Sequence, residues 1–114
     1  MNISEFKPAG KLITGLGAVK ALPSEMSRLS IHAFAIVTDK GVSSSGLLEH
    51  ITQLLPNNAA IIIDDIPPEP EITVIEEKLR LLRQKKVDGV IALGGGSAID
   101  SAKILAATYD YPGN

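Results

Sequence analysis

The chain has 114 residues, 45% of them apolar, and no cysteine; its 11 basic and 13 acidic side chains leave a formal charge of −2. That length suits one domain with a real core. The mild acidity gives no reason to expect nucleic acid as a partner, and the lack of cysteine excludes disulfides and thiolate zinc sites.

The N-terminal stretch MNISEFKPAG lacks the apolar core of a signal peptide. No apolar run approaches the roughly 20 residues of a membrane span. A cytoplasmic chain with no membrane contact is therefore expected, the alternative being a secreted one whose leader has been removed. Further along, KLITG is a short strand candidate. AVKALPSEMSRL reads as a helix that Pro23 interrupts. AFAIVTD, Ala33 to Asp39, is a near-continuous apolar run ending in a carboxylate. SSSGLLEHITQLL, Ser43 to Leu55, reads as one helix with an N-cap candidate among its serines. AAIIIDD is β-branched and predicts a buried strand, and the prolines of IPPEP force a loop. EITVIEEKLRLLRQKK is the clearest helix, with Ile72, Ile75, Leu79 and Leu82 three or four apart and basic residues at its C-terminal end. DGVIALGGGS predicts another buried strand, and AIDSAKILAATY a helix opened by Ser97.

Apolar strands without polar alternation fit a parallel sheet covered on both faces, and alternation with helices gives the α/β class. The expectation is a Rossmann-like, mainly parallel open sheet with helices on both faces. The alternation is still running at DYPGN, and about three good parallel strands make a small sheet. Residues 1–114 are therefore expected to be an incomplete N-terminal domain.

The chemistry concentrates where VIAL meets GGGS. A helix that starts directly after a strand points unpaired N–H groups and its positive dipole end at the space above the sheet, a setting that suits phosphate. Glycines permit the turn and remove the Cβ atoms that would hold a pyrophosphate away. Ser97 can donate its hydroxyl to a phosphate oxygen or cap the helix. A purely structural turn is the competing reading; three glycines followed by Ser and a helix favour the anion. Neither a Walker loop nor Gly-x-Gly-x-x-Gly fits, because no Lys stands at the Walker spacing and Ile99 occupies the third small position. A second turn, ITGLGAVKAL, rivals it: Gly15 and Gly17 precede a helix, and Asp39 lies 22 residues after Gly17, although its third glycine position is Lys20.

DGVIALGGGSAIDSAK resembles the signature Gly-Gly-Gly-Ser-x-x-Asp-x-x-Lys of the iron-containing, or group III, alcohol dehydrogenase family, with Gly94, Gly95, Gly96, Ser97, Asp100 and Lys103 in register. GLGAVKAL is similar to that family's Gly-x-Gly-Ala turn and AIVTDKGV to its Val-Thr-Asp strand end. PEPE stands where the family often has Pro-Asn-Pro-Thr, with Glu69 and Glu71 in place of Asn and Thr. The resemblance covers nearly the whole chain.

The resemblance implies a domain that binds a nicotinamide dinucleotide. Gly95, Gly96 and Ser97 would hold the pyrophosphate, Asp100 would lie near the nicotinamide end, and Gly94 is counted with them among the cofactor-binding residues. Asp39 would accept from the adenosine ribose and repel a 2′-phosphate, so NAD is the expected cofactor; otherwise Asp39 is a strand-end carboxylate capping a turn. Lys103 is expected only to pack or pair on the helix surface. The resemblance further implies that catalysis and a divalent metal, iron or zinc, reside in a helical domain of the full-length parent. No catalytic residue or metal ligand is assigned here, and His32 and His50 read as surface or packing residues. The partners implied are the dinucleotide and a small alcohol or aldehyde, with room for a homo-oligomer. Two alternatives stand beside this reading. One is a non-catalytic nucleotide- or phosphate-binding module, favoured if the reading frame ends near Asn114. The other is part of a related glycerol dehydrogenase or sugar-phosphate cyclase, although a serine after three glycines leans against typical glycerol dehydrogenases.

Overall fold

The computed structural model describes residues 4–6, 12–14, 22–55 and 57–109. The turn carrying Gly15, Gly17 and Lys20 lies outside the described residues. The elements are β1 (Ser4–Phe6), β2 (Leu12–Thr14), α1 (Leu22–Arg28), β3 (Phe34–Val37), α2 (Lys40–Ser44), α3 (Leu47–Thr52), β4 (Ile61–Ile63), α4 (Ile72–Gln84), β5 (Gly89–Ala92) and α5 (Gly96–Tyr109). The sheet runs β1-β2-β5-β3-β4. Every pairing is parallel except the antiparallel β1–β2, a strand the sequence reading did not foresee. The expected Rossmann-like α/β sheet is present, with helices on both faces.

Strand alternation divides the core. Ala35 and Val37 of β3, Val90 and Ala92 of β5 and Ile63 of β4 pack with Ile75, Leu79 and Leu82 of α4 and Ala102, Leu105 and Ala106 of α5. Phe34, Ile36, Ile91 and Leu93 face the other way, onto Leu22 and Met26 of α1, Val42 of α2 and Leu48 and Ile51 of α3. β3 and β5 are buried at every position because each has a strand on both sides and a helix layer on both faces.

Several expectations are corrected. Pro23 does not interrupt α1: it is the helix's second residue, where its missing N–H costs no intrahelical bond. Ser43 to Leu55 is not one helix. Gly46 takes φ of 86°, a left-handed conformation that ends α2 and starts α3, and the N-cap is Asp39, not a serine. β4 is an edge strand, and Ile62 is 45% exposed because the α1–α3 layer leaves it uncovered. Ile72 lies on the apolar stripe of α4 yet is 73% exposed. Periodicity identifies the inward face of a helix, but not where along it the covering layer begins. Lys78, in contrast, is buried on α4, its stem packed and its ammonium 2.9 Å from Asp65. No helix among the described residues is long and apolar enough to cross a membrane.

Candidate functional site

β3 and β5 are adjacent and parallel, with Val37 level with Ala92. The chain leaves β3 into α2 on one face of the sheet and leaves β5 into α5 on the other. A crevice therefore opens beyond their C-terminal ends, the place where open parallel sheets bind ligands. Two residues past the last strand pair stand Asp39 on one side and Gly94 on the other.

Asp39 is extended, with φ of −120° and ψ of 169°, and caps α2: its Oδ1 accepts the Val42 amide at 2.8 Å. Its Oδ2 reaches across the crevice to the Gly95 amide at 3.4 Å. The turn-capping role weighed from sequence is thus observed, and the same carboxylate also touches the glycine turn. An ionised carboxylate offers about four lone-pair sites, so two such bonds leave acceptor capacity facing the crevice.

The three glycines do different things. Gly94 has φ of 128°, and a Cβ there would stand 2.5 Å from Oδ2 of Asp39. Its backbone favours glycine, and the Asp39 carboxylate occupies the space a side chain would take. At Gly95 and Gly96 an added Cβ would meet nothing within 4 Å, so these two border open space. Ser97 does not open α5. The helix begins at Gly96, and the Ile99 amide bonds the Gly95 carbonyl at 3.1 Å, which makes Gly95 the cap position. Ser97 stands within the first turn, exposed. With Gly95 at the cap and the Ile99 amide bonded to its carbonyl, the amides of Gly96, Ser97 and Ala98 have no intrahelical partner. Asp100, one turn into α5, and Lys103 are both exposed.

Sequence reasoning missed two neighbours. Thr38, 4% exposed, has a buried hydroxyl without a hydrogen-bond partner, one residue before Asp39. Lys40, one residue after it, places its ammonium 3.2 Å from Asp64 at the end of β4. The signal for the second was the adjacency of TDK to the strand end, with IIIDD closing the next strand. His32 and His50 are exposed. The His32 amide bonds Asp88, a link between the starts of β3 and β5. In the loop before α4, Glu69 has a left-handed φ of 50°, and Glu71 occupies the N-cap without a side-chain cap bond.

This donor set fits a dinucleotide. Glycines open toward a helix N-terminus on one strand end, a carboxylate stands level with them on the next, and an unpartnered hydroxyl lies beside it. The set does not fit a metal: among the described residues no group of three or more His, Cys, Asp or Glu could hold one.

The family model described as iron-containing alcohol dehydrogenase matches residues 9–114. The chain is 29% identical to probable NADH-dependent butanol dehydrogenase 2 of Bacillus subtilis, covering 99% of this chain and 29% of that protein. It is 35% identical to lactaldehyde reductase of Escherichia coli, covering 86% of this chain and 26% of that protein. Among solved structures, the iron-containing alcohol dehydrogenase of Thermococcus thioreducens superposes with a TM-score of 0.71 at 30% identity, over 94% of this chain and 28% of that one. The chain thus spans under a third of the length of these relatives.

Proposed function

The chain belongs to the iron-containing alcohol dehydrogenase family, and from that premise we propose that it is the N-terminal cofactor-binding part of an NAD-dependent, metal-dependent alcohol dehydrogenase. The reaction of the whole protein is the reversible oxidation of a small alcohol to an aldehyde or ketone. The named relatives, a butanol dehydrogenase and a lactaldehyde reductase, support that substrate class. The observation that carries the reading is the crevice between β3 and β5, where Asp39 faces the Gly94–Gly96 turn.

Each residue has a role in this reading. Gly95 and Gly96 let a pyrophosphate approach the first turn of α5, whose free amides and dipole favour its charge. The Gly95 amide is turned to Asp39, so Gly95 contributes room while the amides of Gly96, Ser97 and Ala98 contribute bonds. Gly94 admits the Asp39 carboxylate. Ser97 donates its hydroxyl to a phosphate oxygen. Asp39 accepts from the ribose hydroxyls and repels a 2′-phosphate, and Asp100 borders the nicotinamide end. NAD, when bound, accepts the hydride. Since the described residues fit no metal, iron or zinc is assigned to other parts of the protein and no step is routed through it.

Titration of the chain with NADH, read by cofactor fluorescence, tests the site; saturable binding is expected. The same preparation, given NAD, iron or zinc and short alcohols, is expected to stay at background. Absence of NADH binding would remove the cofactor site. Reproducible metal-dependent turnover would overturn the division of labour.

A further inference from the structure

Lys40 follows Asp39 directly, at the strand end where enzymes that accept NADP commonly present a cation to the 2′-phosphate. Here that cation is already engaged. Its Nζ lies 3.2 Å from Oδ1 of Asp64, which closes the neighbouring strand β4. Hydrogen bonds from Ser43 and then from Lys40 hold the Asp64 carboxyl below the usual carboxylate range, so it stays ionised. One positive and two negative charges thus stand together at the ends of β3 and β4, and the corner is net negative.

We infer that Asp64 is a cofactor-selectivity residue: by pairing with Lys40 it withholds that cation from a 2′-phosphate and keeps the ribose corner negative, favouring NAD over NADP. The inference rests on the reading of Asp39 as the ribose acceptor. The Lys40 side chain is 73% exposed and that of Asp64 28%, so the pair contributes little to stability. Its effect is on the local potential, which a doubly charged phosphate senses and a ribose hydroxyl does not.

The test is fluorescence titration of the chain with NADH and NADPH, comparing the ratio of the two affinities. Asp64→Asn frees Lys40 and removes one negative charge; the ratio is expected to move toward NADPH by about threefold. Lys40→Met should move it toward NADH. The double variant, with the original net charge, should return near the starting ratio, which a merely structural role for Asp64 would not produce. An unchanged ratio in Asp64→Asn, or a double variant that keeps the shift, overturns the inference. Should Asp64→Asn fail to fold, Lys40→Met alone decides, and no movement toward NADH overturns it. Asp39→Ser in the same series separates the two levels. If Asp39→Ser leaves the ratio unchanged, or if the parent chain binds neither cofactor, the underlying reading fails.

Discussion

Oδ2 of Asp39 lies 2.5 Å from where a Cβ on Gly94 would be placed. The φ of 128° already favours glycine at the end of β5, and a carboxylate from the end of β3 fills the space a side chain there would need, so the first of the three glycines answers to the protein before any ligand.

Gly94→Ala and Gly95→Val should separate fold from binding. At Gly94 the left-handed backbone and the collision with Asp39 combine, and a loss of about 1–3 kcal/mol is expected in urea melts. At Gly95 a side chain meets open space, so stability should fall by about 1 kcal/mol or less, the cost of a poorer cap. The branched group would stand in the pyrophosphate's path, and NADH affinity should drop by about tenfold or more. A Gly95→Val chain that binds NADH normally would show that the open space is not the cofactor's.

Asp39 caps α2, and in the proposed reading it also holds the ribose; different substitutions divide the two roles. Asp39→Gly loses the carboxylate bonds to the ribose, worth roughly 1.5–3 kcal/mol, so NAD should weaken by about tenfold or more while NADP gains relative to it. Ser caps helices about as well as Asp, so Asp39→Ser should shift the cofactor ratio the same way with stability nearly unchanged. Melting curves and paired titrations check both. Stability loss with a constant ratio would return Asp39 to capping alone.

The acid limb of stability should contain a contribution from Asp64. Its carboxyl is held low by Ser43 and Lys40. A group whose folded pKa is depressed stabilises above its unfolded pKa, and that stabilisation is lost as pH falls through the folded value. The advantage of the parent over Asp64→Asn should be constant near neutrality and shrink below about pH 4. It should also shrink in high salt, because the pair is largely exposed. Denaturant melts across pH 2–7 would show it, and an advantage that grows on acidification would contradict the assignment.

The loop before α4 is improvable. Glu69 holds a left-handed φ that asparagine tolerates better, and Glu71 leaves its cap position without a side-chain bond that threonine can make. Glu69→Asn with Glu71→Thr should raise stability by about 1 kcal/mol. A thermal or urea melt that shows no gain would mean the loop relaxes differently.

The legible parts of the fold were those where one residue type decides the outcome. The apolar runs of β3 and β5, the periodicity of α4 and the glycine turn all pointed to their elements. What escaped depended on partners distant in sequence. Ile62 is apolar like its neighbours, and its exposure follows from the helix layer on its face of the sheet stopping short of β4. Asp39 could be placed at a strand end, but its bond to Gly95, 56 residues away, needed the register of β3 against β5. The Lys40–Asp64 pair escaped for the same reason. Gly46 was visible within its helical stretch, yet spacing alone did not say that it would adopt φ of 86° and split the helix.

Among the five strands of the described residues, the one in the middle of the sheet is made last. β5 lies between β2 and β3, and it pairs Val90 with Leu12 and Gly89 with Phe34. A nascent chain emerging from the ribosome can join β3 to β4 early, because those strands are near in sequence. Among the described residues, the antiparallel β1–β2 pair has no strand linking it to them until residues 89–92 have been synthesised, and closing contacts over such separations is slow. The strand that joins the two halves also ends in the glycine turn. Joining of the two parts of the described sheet and creation of the crevice are therefore one event, and a chain released before residue 89 has no such crevice.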